Sequence, residues 1–203
     1  MNVPFQAAAT LGLLATLSST PVVAQEAWSG LPPALQVRLA LQAAPSELRD
    51  GATVQGYDST GALVTLREGT KPLICMAPDP KAQRLEVSCH QAGLEAFFAR
   101  GRELRAQGMA ESDVVQTRWK ENAAGTLPIP FGTVNSILTG SGFDPGTGTI
   151  TDPYERWTIY TPGATPESTG LSTTPSAGGP WLMFPGTPGA HIMITPPQRG
   201  SGG

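Results

Sequence analysis

Gly178-Gly-Pro-Trp-Leu-Met-Phe-Pro-Gly-Thr-Pro-Gly-Ala-His-Ile-Met-Ile194 is the segment around which the chain reads as organised. Two short apolar runs, Trp181 to Phe184 and Ala190 to Ile194, flank a Pro-Gly-Thr-Pro-Gly insert. β-formers on both sides of a turn rich in Pro and Gly predict a β-hairpin. It is the densest apolar stretch of the mature chain and reads as the central hairpin of the fold. With Pro185 to Gly189 as its loop, Met183 faces His191 and Trp181 faces Met193. Side chains alternate along strands, so this register puts Leu182, Phe184, Ile192 and Ile194 on one face. Trp181, Met183, His191 and Met193 share the other.

Working outward, the preceding segment is loop-like. From Gly125 to the C-terminus the charged residues are Asp144, Asp152, Glu155, Arg156, Glu167 and Arg199 alone. Gly and Pro make up about a third of this half, so strands such as 133–138 and Trp157–Tyr160 are expected on long, Pro-stiffened loops. Trp157-Thr-Ile-Tyr-Thr-Pro-Gly-Ala echoes the Trp181 segment, which reads as one turn chemistry used twice rather than as a repeat protein.

Before residue 125 the pattern is richer. Residues 52–57, 62–67, 73–77 and 85–89 read as a β-meander punctuated by turn residues. A helix over 94–104 is expected to cover it, with Leu94, Phe97, Phe98, Gly101 and Leu104 on one face, Gly101 marking close approach to the sheet. A second helix carries Val114, Val115 and Trp119. Ala34 to Ala44 alternates like a strand at Leu35, Val37, Leu39 and Leu41, but its Ala content and leading Pro pair favour a helix ending before Pro45. The fold class expected is α+β: a small antiparallel sheet with one or two packed helices and long Pro/Gly-rich loops. The expected core is Val54, Leu63, Val64, Leu73, Leu94, Phe97, Phe98, Trp181, Phe184 and Ile192.

Residues 1–24 have the features of a signal peptide: an apolar run from Ala7 to Leu17 and Val22-Val-Ala24 before the cleavage point. They contain no Lys or Arg, so the terminal amine supplies their only positive charge. The organisation expected is a leader at 1–24, one exported domain at 25–195 and a disordered tail at 196–203. In an exported chain the isolated pair Cys75 and Cys89 reads as a disulfide closing a loop of about 15 residues, which stabilises by about 3 kcal/mol. The net charge of −3 carries no basic run, so nucleic acid and anionic membrane are not expected partners. No segment of the mature chain reads as a membrane span.

The leader, a Leu-Ala-Leu-x-Ala-Ala-Pro stretch, Ala52-Thr-Val, Leu66-Arg-Glu-Gly-Thr before the two cysteines, and the closing Gly179-Pro-Trp-Leu-Met and Gly186-Thr-Pro-Gly-Ala-His-Ile-Met blocks form a combination. It resembles a group of small exported bacterial proteins that carry no assigned activity. The resemblance covers most of the chain outside 145–177. It implies export and a compact fold, and transfers no catalytic or binding residue.

Function is weakly marked. The expected role is a binding or structural interaction module with an envelope or extracellular protein or a small ligand as partner. Phe143, Tyr154, Trp157 and Tyr160 are the aromatics available for such a surface, or for capping the sheet. A hydrolase would have to assemble a triad in space around His90 or His191, since no nucleophile motif is present. The sharper alternative is a metal site without other cofactors. Met183, Met193 and His191 are soft ligands suited to Cu(I), and Trp181 could lie against the cation. In residue types this resembles the Met-Met-His-Trp site of periplasmic copper(I) chaperones, although the order along the chain differs. The competing reading is burial, with Met filling core gaps and His191 a core histidine.

Overall fold

The computed structural model describes Trp28 and residues 30–197. The leader at 1–24 and residues 198–203 of the tail lie outside the described residues. In chain order the elements are α1 (Pro33–Ala40), β1 (Thr53–Tyr57), β2 (Leu63–Arg67), β3 (Leu73–Met76), β4 (Leu85–Gln91), α2 (Glu95–Ala106) and α3 (Glu111–Ala123). There follow β5 (Val134–Gly140), β6 (Gly142–Phe143), β7 (Ile150–Thr151), β8 (Tyr154–Tyr160), α4 (Pro166–Thr169), β9 (Pro180–Met183) and β10 (His191–Ile194).

The α+β class holds, but the sheet is larger than expected. Eight strands run in the order β2-β1-β3-β4-β5-β8-β10-β9, and β6 and β7 pair separately. The expected meander is replaced by a crossed arrangement: β1 pairs with β3 in parallel and pushes β2 to the edge. Burial explains the choice. Val54 and Gly56 of β1 are buried, whereas no residue of β2 is, so β1 occupies the interior place. Leu63, expected in the core, is 36% exposed for this reason. The 181–194 hairpin is likewise peripheral, and β4 with β5 holds the centre.

α1 forms despite its strand-like alternation. Leu35, Gln36, Leu39 and Ala40 are its buried residues, a helical and not a two-residue spacing. Proline begins it, and the chain is extended at Ala44 before Pro45. The Gln36 amide seals the helix to the sheet, donating to Tyr57 O and accepting from Tyr57 N, both at 2.8 Å.

From β1 to β9 the registers run without a shift, the one irregularity lying between β1 and the edge strand β2, so the two faces can be read as rows. One row is Val54, Cys75, Cys89, Ser136, Trp157, Ile194 and Pro180. The opposite face carries Thr53, Ile74, His90, Asn135, Thr158, Met193 and Trp181. On the first face α1 and the turn after it enclose Leu39, Val54, Cys75, Val87, Cys89 and Leu138. On the second, Leu94, Phe97 and partly buried Phe98 pack with Leu127, Ile129 and Tyr160.

Candidate functional site

The first face is only partly covered. α1 has 8 residues, which at helical rise span about 12 Å. Eight strands at normal spacing span about 34 Å. The uncovered remainder is a groove of about 430 Å³. Its floor comes from the sheet face just described: Leu73, Cys89, Gln91, Val134, Ser136 and Trp157. Pro45 and Leu48, in the turns that follow α1, face them, and Lys71–Pro72 with Gly132–Thr133 complete the lining.

The groove has an apolar body and few polar groups. Val134 is 41% exposed and Trp157 half-buried, so substantial apolar surface faces water. The hydroxyl of Ser136 is engaged with Glu155 (2.8 Å) and that of Thr133 with Pro130 O (2.7 Å). Lys71 is the only charged residue of the lining. Its Nζ donates to Glu47 O at 2.9 Å, and it forms no ion pair among the described residues. The Cys75–Cys89 disulfide bridges directly paired residues of β3 and β4, with Cα atoms 4.0 Å apart, so the floor of the groove is covalently braced at Cys89.

The hairpin has the expected register: Met183 opposes His191, Leu182 opposes Ile192, and Trp181 opposes Met193. Trp181, Met183, His191 and Met193 therefore share a face. Three of the four have a side-chain polar atom with a partner in the fold. His191 Nδ1 donates to Gly189 O (2.7 Å), which leaves Nε2 with the lone pair in the neutral ring. Thr158 Oγ1 donates to Met193 Sδ (3.4 Å), and Trp181 Nε1 donates to Thr195 Oγ1 (3.4 Å). Burial holds the His191 imidazole below its ordinary value, opposed by the Gly189 hydrogen bond.

Phe184 departs from the expected arrangement. Its φ of 54° ends β9 early, and its ring turns to the His191 side, 5.6 Å from that imidazole and 5.3 Å from Trp119. It is 39% exposed and not a core residue.

The other histidine is built into the core. His90 is 1% exposed, its Nε2 lies 2.7 Å from Glu95 Oε2, and its ring stacks edgewise on Phe98 at 4.8 Å. Burial raises the Glu95 carboxyl, but hydrogen bonds and charge from His90 and Arg102 outweigh it and hold the group below its usual range. Neither imidazole hydrogen-bonds a serine hydroxyl among the described residues. The four candidate aromatics separate. Trp157 lines the groove, Tyr160 is buried, Phe143 packs on Trp28, and the Tyr154 hydroxyl donates to Pro196 O.

Two features were not legible as sites. The groove needs Lys71, Gln91 and Val134, which no motif marks. Arg118 lines a second, small cavity on the opposite face. Its only signal was a charge on the α3 stripe that carries Val114 and Trp119. Gly101, expected to approach the sheet, instead makes room for this guanidinium: a Cβ there would lie 3.0 Å from Arg118 Nη1.

No helix among the described residues is long and apolar enough to cross a membrane. Comparison with family models, curated proteins and solved structures gives no match.

Proposed function

We propose that this chain is an exported binding module whose groove takes a small amphiphile, an apolar tail bearing one carboxylate. The observation that carries the reading is the groove itself. Its volume of about 430 Å³ lies in the range of ligand sites, which are mostly apolar with a few placed polar groups. Lys71 is the only charged residue of the lining, in a protein of net charge −3. An acidic head at Lys71 with its tail over Leu73, Val134 and Trp157 matches both. The disulfide supports export, since such bonds persist in oxidising compartments.

Calorimetric titration with straight-chain fatty acids tests it. Two buried methylenes contribute about 1.6 kcal/mol, so decanoate should bind about 15-fold more tightly than octanoate. Lys71→Gln should weaken decanoate and leave decanol unchanged. Affinity independent of chain length, or undiminished in Trp157→Ala, would overturn the reading.

A second reading places Cu(I) on the hairpin, favoured by the register that sets Met183 opposite His191 with Met193 on the same face. The lone pair of His191 Nε2 and the thioether sulfurs are soft donors. Competition against a Cu(I) chelator decides it. Sub-micromolar binding lost in Met183→Leu with His191→Ala supports the site, and binding weaker than micromolar ends it.

A further inference from the structure

The second cavity, of about 60 Å³, lies between α3 and the hairpin and has Phe97, Trp119, Tyr160, Phe184 and His191 in its walls. Arg118 reaches into this aromatic enclosure and is only 8% exposed. Its guanidinium carbon sits 4.1 Å over the Phe97 ring and Nη1 donates to Phe97 O at 3.3 Å. Nε is buried without any partner, and Nη2 donates no hydrogen bond among the described residues.

A buried charge without a counter-charge is costly, so native proteins pair it or supply an ion. The neighbouring carboxylates Glu111 and Glu121 favour its charge from a distance without pairing with it. On α2 and α3, Glu95 is bound by Arg102, Glu103 and Glu121 by Arg100, and Glu111 by Arg105, while Asp113 makes no ion pair with Arg118 among the described residues. Arg118 is the arginine of these two helices with no ion pair among the described residues. Tyr160 also lines the cavity, and its hydroxyl is not among the buried polar atoms left without a partner.

We propose that the Arg118 cavity is a binding site for a small monocarboxylate of acetate or propionate size. The planar guanidinium matches a carboxylate fork. The Tyr160 O–H supplies a further donor, and the aromatic walls enclose a methyl or ethyl tail. A cavity of about 60 Å³ suits a ligand of only a few heavy atoms. This site is on the opposite face from the groove and does not depend on it.

The test is thermal denaturation at constant ionic strength with sodium acetate or propionate replacing chloride. A saturable rise in Tm is expected for both, larger than with sulfate or phosphate. Apparent affinity should fall at least tenfold in Arg118→Gln and several-fold in Tyr160→Phe, and stay unchanged in Lys71→Gln. Acetate titration of the unmutated chain should shift the Arg118 Nε–H resonance, a readout that needs no variant to fold. An unmoved Arg118 resonance, an equal response to chloride, or a larger one to phosphate would overturn the proposal.

Discussion

The two faces of the sheet are covered to different extents, and each carries a different kind of cavity. On one, α1 of 8 residues encloses the strands near the disulfide and leaves Val134, Trp157, Ile159 and Ile194 partly in water. On the other, helices of 12 and 13 residues and a cluster of rings close over His90 and Tyr160. What remains there is about 60 Å³ around a cation, against about 430 Å³ of apolar groove opposite. The length of the covering helices, set against the width of the sheet, decides where a ligand can enter.

The comparison breaks most readily at the covered end of the first face. Leu39 is fully buried beneath the sheet, so Leu39→Ala should cost about 2–5 kcal/mol. Trp157→Ala, on the same face but half-exposed, should cost clearly less. Urea unfolding measures both, and equal losses would mean that the groove residues are core. The disulfide comes next. Replacing Cys75 and Cys89 together by Ala should lower stability by about 2–4 kcal/mol on the same measurement.

On the closed face the test is a methyl group. A Cβ on Gly101 would press on the Arg118 guanidinium, and one on Gly189 would fall on the Trp119 indole. Gly→Ala inside a helix normally stabilises by about 0.5–1 kcal/mol. Here Gly101→Ala should forfeit that gain, and Gly189→Ala, in the hairpin loop, should destabilise by about 1–3 kcal/mol through overpacking. Stabilisation by Gly101→Ala would show that the cation is not held against α2.

The smallest effect is the pH dependence that His191 and Glu95 contribute on the closed face. Burial depresses the His191 value, so the unfolded chain takes up a proton first as pH falls. Its contribution is present above the ordinary value of 6.5 and is lost below it, towards the depressed folded value. Glu95 acts lower: its depressed carboxyl contributes above its ordinary 4.5 and loses that contribution as pH falls through the folded value. Stability measured from pH 7 downward should decline first through His191 and then, in the acid range, through Glu95 and the other depressed carboxyls, and His191→Gln should remove the first decline.

Much of this architecture was readable locally. Strand positions followed from alternation and turn residues, and the hairpin register from counting across Pro185 to Gly189. Pairing partners were not readable, because nothing in 52–67 says that β1 will take β3 as a parallel neighbour. Phe184 was misplaced because its left-handed φ of 54° breaks the alternation that the sequence suggests. The groove was hidden for a similar reason. Trp157 was visible as a candidate aromatic, but its exposure depends on how far α1 reaches across a sheet whose width comes from non-local pairing. Arg118 could have been flagged, since a charge on an apolar helix stripe requires a partner or a ligand.

Trp157 offers the most direct test of ligand binding in the groove. With Trp28, Trp119 and Trp181 replaced by Phe, it is the sole indole, and its emission reports on the groove alone. Decanoate should shift that emission to the blue saturably, and Lys71→Gln in the same background should weaken the response. Calorimetric binding of decanoate with the Trp157 emission unchanged, or no binding at all, would contradict the account.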